Sequence, residues 1–281
     1  MSLSIHTNFA SLVTQNTLSK NNNALSTAMQ RLGTGFRVNS AADDAAGLQI
    51  ANRLTAQTRG LAVAQRNSQD AISMLQTADG ALDEIGSIAF RMKDLATQAA
   101  NDTNTAADRA ALKAEFDQLV TEVERIMNNT TYGGSALLSA AGTLGAAAVT
   151  FQIGAGKDDT LKVDAQTSLA AITTANNTVK AIDISTDAAT ANSAMEEVDA
   201  LIAAVGTARA QFGAKINRLD HTINNLASIA QNTEAAKGRI MDADFAAESS
   251  NMTKQQMLMQ SGISVLGNSN QLTGLVASLL R

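Results

Sequence analysis

The chain has 281 residues, a formal net charge of −5, no cysteine, proline or tryptophan, and only 3% aromatic residues. The missing cysteines exclude disulfides, thiolate catalysis and cysteine metal sites, and the acidic balance argues against a general nucleic-acid-binding surface. With so little aromatic bulk we expect alanine- and leucine-rich helices packed side by side rather than one large globular core.

The N-terminal segment predicts a helix over residues 3–36, because apolar residues recur there at helical spacing. The stripe comprises Ile5, Phe9, Leu12, Leu18, Leu25, Met29, Leu32 and Phe36. Between Met1 and Gln30 the only Lys, Arg, Asp or Glu is Lys20, so the rest of the surface is Ser, Thr, Asn and Gln. The first ten residues contain no Lys or Arg and no apolar segment follows them, so a cleaved secretory signal is not expected.

Residues 31–47 predict a joint between this helix and the next. Its distinctive residues are Arg31, Gly33, Gly35, Arg37, Asn39, Asp43 and Asp44. The two glycines relax the backbone, and Ser40 and Asp43 are candidate N-caps of the following helix. The adjacent aspartates are better suited to the positive end of a helix than to a metal, since neighbouring helical residues do not face each other.

A second helix is predicted over residues 44–100, with two apolar columns repeating every seven residues as in a coiled coil. One column runs Leu54, Leu61, Ser68, Leu75, Leu82, Ala89, Ala96, and the other Ile50, Gln57, Ala64, Ala71, Ala78, Ile85, Met92, Ala99. A polar turn at 101–105 ends it. Thr105 and Asp108 then resemble a capping box that opens a shorter helix reaching Ile126.

Helical periodicity fades between residues 128 and 191. Gly133 and Gly134 indicate a turn, and alternation at 149–153 and 160–164 predicts a β-hairpin. One more short strand is possible at 181–184.

Ser193 and Glu196 form a predicted capping box for a regular helix whose apolar seam is interrupted only by Arg209. A last helix is predicted to restart near residues 242–244 and to run to the C-terminus, with no charge between Lys254 and Arg281. Its apolar stripe is Met252, Met259, Ile263, Leu266, Leu272, Leu275 and Leu279. A solitary surface helix would carry charge, and a membrane span would not contain so many amides and hydroxyls. We therefore expect it inside a protein assembly, with its amides bonding sideways.

The resulting fold is mainly α: a long antiparallel coiled-coil bundle built from both chain ends, with a small β-hairpin insert. The first helix is expected to pair with the last, and the second with the one opening at Ser193. The hairpin is expected at the far tip.

The residues that carry chemistry are scarce. His6 and His221 have no nucleophile or ligand at useful spacing, and Gly33-Thr34-Gly35 does not follow a strand as a phosphate-binding loop would. No run of 18 apolar residues predicts a membrane span. We predict no enzyme, cofactor or metal site, and an enzymatic insert at 137–192 is disfavoured because that segment contains no His or Cys.

Two long motifs resemble the signatures of bacterial flagellins. Residues 31–53, Arg-Leu-Gly-Thr-Gly-Phe-Arg-Val-Asn-Ser-Ala-Ala-Asp-Asp-Ala-Ala-Gly-Leu-Gln-Ile-Ala-Asn-Arg, resemble the N-terminal one. Residues 238–248, Gly-Arg-Ile-Met-Asp-Ala-Asp-Phe-Ala-Ala-Glu, and the ending Leu-Val-Ala-Ser-Leu-Leu-Arg resemble the C-terminal one.

The resemblance implies a structural subunit that self-assembles into a helical tube, the extracellular flagellar filament, for swimming motility. Residues 1–40 with 242–281 would form the inner core, 41–136 with 193–241 the outer core, and 137–192 a short variable segment with the hairpin near 149–164. Export would use the flagellar type III apparatus without a cleaved signal. Implied partners are other copies of the chain, an export chaperone at the C-terminal helix, and the filament cap and hook-junction proteins.

A further patch resembles the segment read by the animal toll-like flagellin receptor. Its residues here are Arg91, Leu95, Gln98 and Glu115, whereas Phe90, Lys93 and Asp94 depart from the commonest pattern. An alternative to a filament subunit is a hook–filament junction protein of the same architecture.

Overall fold

The computed structural model describes residues 8–279 of the chain, and side chains for residues 8–271. The chain divides into two compact units: unit 1 comprises Met1–Thr58 with Gln231–Arg281, and unit 2 comprises Arg59–Ala230. The helices are α1 (Phe9–Thr34), α2 (Ala45–Ala99), α3 (Ala106–Asn129), α4 (Thr143–Ala146), α5 (Gln166–Ala181), α6 (Ala188–Met241) and α7 (Phe245–Leu279). The strands are β1 (Thr131–Tyr132), β2 (Ser135–Ala136), β3 (Val149–Gln152) and β4 (Thr160–Val163).

In unit 2, α2 and α6 run antiparallel, as predicted. Lys93 Nζ on α2 lies 2.5 Å from Asp199 Oδ1 on α6, and Arg209 Nε on α6 lies 3.0 Å from Asp79 Oδ1 on α2. From Leu61 to Ala99 every residue of the two predicted columns of α2 is buried. From Ala71 onward, the apolar residues of these columns form the centre of the core of unit 2, which α3, α4, α5 and the β3–β4 hairpin complete. Leu61 and Ala64 form a small separate cluster with Leu226.

The predicted β-hairpin forms, but it does not lie at the far tip of the bundle, where it was expected. β3 and β4 pair antiparallel, with Val149 opposite Val163, and Leu161 and Val163 are buried in the helical core. Asn67 Nδ2 donates to Gln152 O at 3.2 Å, so the hairpin lies alongside α2 rather than beyond the turn at 101–105. Burying its apolar face against the helices places it there, since an isolated two-stranded hairpin is marginal in water.

Helix α5 was not predicted, and no strand forms at 181–184. Leu169, Ile172, Asn176 and Val179 are buried at spacings of three, four and three, which is a helical face. Asn176 interrupts the apolar run, and the Ala, Thr and Asn around it hid the period. Ile182 ends the helix in an extended conformation.

Two helix starts differ in how well they were predicted. The capping box of α3 is confirmed: the Thr105 side chain accepts from Asp108 N, and the Asp108 carboxylate accepts from Thr105 N. The start at Ser193 is wrong, because α6 begins at Ala188 and the Asp187 carboxylate accepts from Thr190 N at 2.6 Å. Ser193 lies inside the helix, where its hydroxyl donates to Ala189 O.

In unit 1, α1 and α7 pair antiparallel, as predicted. Asn8 Nδ2 donates to Ser269 O at 3.1 Å near one end of the pair, and Arg31 Nη1 donates to Glu248 Oε1 at 2.9 Å near the other. The end of α1 therefore meets the start of α7. α1 begins at Phe9 and ends at Thr34, inside the predicted bounds.

Candidate assembly surface

The surface of the α1–α7 pair exposes large apolar side chains. Among the predicted polymerisation residues, Phe9 is 67% exposed, Leu12 54%, Met29 49% and Ile263 58%. Met259 and Leu266 are half-buried, and Leu25 is buried within the pair. Ile5 and the side chains of Leu272, Leu275 and Leu279 lie outside the described residues. Exposed apolar surface of this extent marks an interaction site.

Several exposed apolar residues of the same surface escaped the sequence analysis. They are Val13, Phe245, Met257, Leu258 and Val265. All but Phe245 lie next to a stripe position or two residues from one, and the strict helical spacing omitted them. A broader apolar arc would have found them, since a core-facing helix buries more than a two-position seam.

The hydroxyl groups of this surface are satisfied by their own helices. Thr14 Oγ1 donates to Ala10 O at 2.7 Å, Thr17 Oγ1 to Val13 O at 2.9 Å, and Thr253 Oγ1 to Ser249 O at 2.9 Å. The expected sideways bonding of the amides remains a prediction, and one example joins the two helix ends, where Asn8 Nδ2 donates to Ser269 O and Ser269 Oγ donates to Asn8 Oδ1. A hydroxyl that already donates to its own backbone can be covered by another chain without losing a hydrogen bond.

Charge is nearly absent from the pair. Lys20 is the only charged residue of α1 before Arg31, and α7 has none after Lys254. Covering a charged side chain without a partner is expensive, whereas covering apolar groups and satisfied hydroxyls is not. The surface is therefore suited to burial against other protein.

The joint closes on itself through backbone hydrogen bonds. Arg37 N donates to Met241 O at 2.6 Å and Ala243 N to Gly35 O at 2.9 Å, around a bridge between Phe36 and Asp242. Gly35 has a φ of 75° at the C-cap of α1, a left-handed conformation that glycine adopts most readily. Gly33 lies within the last turn of α1 and does not share that conformation. We call this joint, Gly35–Arg37 against Met241–Ala243, the clasp.

The two arginines of the joint have partners within their own chain. Arg31 pairs with Glu248, and their side chains are 29% and 12% exposed. Arg37 Nη2 donates to Ile240 O at 3.0 Å. Both arginines therefore fasten the joint within their own chain.

The aspartates of the joint act as caps, in a different order from the prediction. Asp44, not Ser40 or Asp43, caps α2: its Oδ1 accepts from Gly47 N at 2.8 Å. Asp43 Oδ2 accepts from Ser40 N, Ser40 Oγ and Asn39 N, and these hydrogen bonds, led by the one from Ser40 N, lower the pKa of Asp43 below its ordinary value. Asn39 also donates from Nδ2 to Phe36 O at 2.8 Å. The carboxylates hold backbone N–H groups of the turn.

The predicted receptor patch lies in unit 2, and only part of it is accessible. Arg91, Gln98 and Glu115 are exposed, and Arg91 Nη2 lies 2.6 Å from Glu115 Oε1. Leu95 is 1% exposed and belongs to the core of unit 2, so it is withdrawn from direct contact with a partner. Phe90, 59% exposed, supplies the apolar surface beside Arg91. The sequence contained a signal for the burial of Leu95, because this residue directly precedes Ala96, the last member of the column that begins at Leu54.

Within the described residues no three His, Cys, Asp or Glu side chains are placed to hold a metal ion. In the same part of the chain, no helix has the length and hydropathy required to cross a membrane.

Two family models match the chain. Residues 5–143 match the bacterial flagellin N-terminal helical region, and residues 195–280 match the bacterial flagellin C-terminal helical region. Together the two models cover both chain ends and the four long helical segments α1, α2, α6 and α7.

Curated relatives agree with these models over their full lengths. A flagellin of Halalkalibacterium halodurans is 44% identical, with 90% of this chain and 91% of the relative aligned. A flagellin of Bacillus subtilis is 38% identical, with 99% of each chain aligned. Flagellin A of Vibrio anguillarum is 36% identical, with all of both chains aligned.

Solved structures share the fold. A crystal structure of Bacillus cereus flagellin matches with a TM-score of 0.51 and 38% identity, over 61% of this chain and 94% of that one. A putative flagellar hook-associated protein from Vibrio parahaemolyticus matches with a TM-score of 0.60 over 71% of this chain and all of that one. At 17% identity the second match speaks for the fold alone.

Proposed function

Because the chain belongs to the bacterial flagellin family and is a structural subunit that self-assembles into the flagellar filament, we propose that α1 and α7 form its principal polymerisation surface. The observation that carries the proposal is the exposed, almost uncharged apolar face of this helix pair. Leu12 and Ile263 are each more than half exposed. No residue at positions 8–19 of the N-terminal segment or 255–271 of α7 is charged.

The energetics favour this assignment. Complete burial of a fully exposed large apolar side chain contributes about 1.5–3 kcal/mol, so a side chain that is half exposed in the subunit contributes roughly half of that. A filament multiplies that gain, because every subunit repeats the same contacts with its neighbours. The hydroxyls that donate to their own helices add little desolvation cost.

The remaining architecture follows from the same proposal. Residues 1–40 with 242–281 would line the inner core, and 41–136 with 193–241 would surround them as the outer core. Residues 137–192 form a short variable segment, supported by the compact packing of α5 and the β3–β4 hairpin on unit 2. With so short a segment the chain carries no large outer domain.

Export and capping partners are part of the proposal. The part of α7 after Lys254 carries no charge and needs protection before assembly, since an uncovered apolar helix end associates with any similar surface. A chaperone bound to α7 would supply that cover during type III export, without a cleaved signal peptide. The filament cap and hook-junction proteins would then receive the same helices at the two filament ends.

Recognition by an animal toll-like receptor would use the exposed patch around Arg91. Arg91 Nε and Nη2 both donate to Glu115 Oε1, and this contact leaves both side chains about half exposed and available to a partner. Replacing Arg91 by Glu should abolish receptor signalling by monomer and leave its helical content unchanged. Signalling at the wild-type dose would contradict this assignment.

A hook–filament junction protein is the alternative with the same architecture. Matches to flagellins over nearly the whole chain favour the filament subunit. Immunogold labelling separates the two: a filament subunit is labelled along the whole flagellum, and a junction protein in one band beside the hook. Seeded polymerisation of purified protein, viewed by electron microscopy, tests the assembly itself.

A further inference from the structure

The methionines of the two units differ in accessibility. Met29 on α1 is 49% exposed and Met257 on α7 is 61% exposed. In unit 2, Met92 is 0% exposed, and Met74 and Met127 are 6% exposed. The two exposed methionines among the described residues therefore lie on the surface that we propose for polymerisation. Met74, Met92 and Met127 lie in the core, and Met195, Met241, Met252 and Met259 are half-buried.

We propose that Met29 and Met257 are oxidation sites through which peroxide blocks assembly of the free subunit, and that assembly protects them. This inference rests on the proposed polymerisation surface. It concerns a modification site, and the co-reactant is hydrogen peroxide or another two-electron oxidant of the peroxide class.

The reaction is a transfer of one oxygen atom. A lone pair of the thioether sulfur attacks a peroxide oxygen, the O–O bond breaks, and a sulfur–oxygen bond forms. The sulfur is oxidised by two electrons, the peroxide is reduced, and one water leaves with both peroxide protons. The product is a polar, chiral sulfoxide in place of a flexible apolar side chain.

The surroundings of Met29 make a sulfoxide especially unfavourable in an interface. One helical turn away on either side lie Leu25, Ser26, Leu32 and Gly33. Leu25 is buried and Leu32 half-buried, so the Ser26 hydroxyl is the one side-chain donor that these four neighbours offer a covered sulfoxide oxygen. A buried polar group without a partner costs free energy that the thioether did not.

Met257 has a more accommodating neighbourhood. Lys254 lies one turn before it, and an ammonium group can donate to a sulfoxide oxygen. The Thr253 hydroxyl is already committed to Ser249 O at 2.9 Å. Oxidation at Met257 is therefore expected to impair assembly less than oxidation at Met29.

The experiment compares five full-length proteins: wild type, Met29→Leu, Met257→Leu, the double variant of these two, and Met92→Leu as a control. Each monomer is treated with hydrogen peroxide, freed of the reagent, mapped by peptide mass spectrometry and polymerised on filament seeds. In the wild type, Met29 and Met257 should oxidise well before Met92, and the critical concentration should rise about tenfold for a covered polar group. Circular dichroism of the treated monomer should be unchanged.

The variants locate the effect. The double variant should polymerise equally well before and after peroxide, and Met29→Leu should be protected more than Met257→Leu. Met92→Leu, a volume-conserving change in the core, keeps both exposed thioethers and should remain sensitive. Treatment of oxidised wild type with the two methionine sulfoxide reductases should restore assembly, and preformed filaments should oxidise at Met29 far more slowly than monomer.

Two results would overturn the inference: unchanged polymerisation of wild type with both sites fully oxidised, or equal peroxide sensitivity of the double variant. Equal oxidation rates at Met29 in filament and monomer would overturn the protection. Failure of untreated wild type to polymerise on seeds would instead count against the proposed function.

Discussion

Units 1 and 2 share two long helices but differ in how far their apolar side chains are buried. α2 and α6 each contribute to both units. In unit 2 the large apolar residues are buried or half-buried, apart from Val63, Phe90 and Ile229, which are exposed. Among the described side chains of unit 1, the buried hydrophobic residues are Leu25, Ala28, Val38 and Ala51.

The difference shows what a seven-residue apolar column does and does not determine. In one column of α2, Ile50 and Gln57 are exposed, whereas Ala64 and every later member is buried. The spacing is constant, but within unit 2 the column is covered by α6 and the elements packed around it. Among the residues that the structure describes, unit 1 has no comparable layer, and other copies of the subunit would provide it.

The largest effects are expected from aspartate substitutions, which should block assembly when placed in unit 1 and unfold the monomer when placed in the core of unit 2. Ile263→Asp and Leu12→Asp should raise the critical concentration for assembly at least about a hundredfold, since a covered unpaired charge costs roughly 3–5 kcal/mol. Because both positions are exposed in the subunit, their monomers should melt like wild type. Leu82→Asp, at a position with 0% exposure, should unfold the monomer instead.

Sedimentation and circular dichroism measure these outcomes, and Ile263→Met is the matched control that keeps an apolar side chain. Normal polymerisation of Ile263→Asp would place Ile263 on a solvent-facing side of the filament.

Truncation to alanine gives the next largest contrast. Leu82→Ala should lower the free energy of unfolding by about 2–5 kcal/mol, since it removes buried methyl groups and leaves a cavity. Leu12→Ala, at a position 54% exposed, should change monomer stability by less than about 0.5 kcal/mol. Urea unfolding of both monomers tests this, and equal losses would mean that unit 1 is as well packed as unit 2.

A smaller effect is expected at the charged interruption of the α6 seam. Arg209 contacts Asp79 at 3.0 Å and Asp83 at 2.5 Å across to α2, with its side chain 39% exposed. A double-mutant cycle with Arg209→Met and Asp79→Asn should give a coupling of roughly 0.5–1 kcal/mol at low salt. The coupling should shrink in high salt, and a value of zero would reduce Arg209 to a tolerated polar residue.

The smallest effect concerns acid. The side-chain and backbone hydrogen bonds from Thr105 lower the pKa of Asp108 below its ordinary value, without burying the carboxylate. A depressed folded-state pKa means that the stabilisation is complete above the unfolded pKa and is lost as pH falls through the folded one. Melting temperature should therefore fall in that acidic window, and by less in Asp108→Asn than in wild type. Parallel curves would exclude this cap.

Much of the fold was accessible from the sequence, for physical reasons that can be named. The columns of α2 and the seam of α6 predicted antiparallel packing because their periods are regular. α5 was missed since Asn176 occupies a core position. The clasp was missed because hydrogen bonds between Arg37 and Met241, far apart in sequence, leave no local pattern.

The sequence predicted that the first and last helices expose an apolar surface, but it identified only some of the residues on that surface. Phe9, Leu12 and Ile263 were found from their spacing, and Met257 was not. The pairing of Arg31 with Glu248 could not be predicted from either residue alone, because many acidic partners were available to one arginine. The spacing of apolar residues predicts which face of a helix is apolar, but only the folded structure shows which other elements of the same chain cover that face.

The most direct test of the account is polymerisation of the chain truncated after Leu258. The truncation removes Met259, Ile263 and Leu266 from α7 and leaves unit 2 whole. The truncated chain should be a monomer with the melting temperature of the wild-type unit 2 core, and electron microscopy should show no filaments, even on seeds. Filaments of normal length and diameter from the truncated chain would contradict the claim that α7 builds the polymerisation surface.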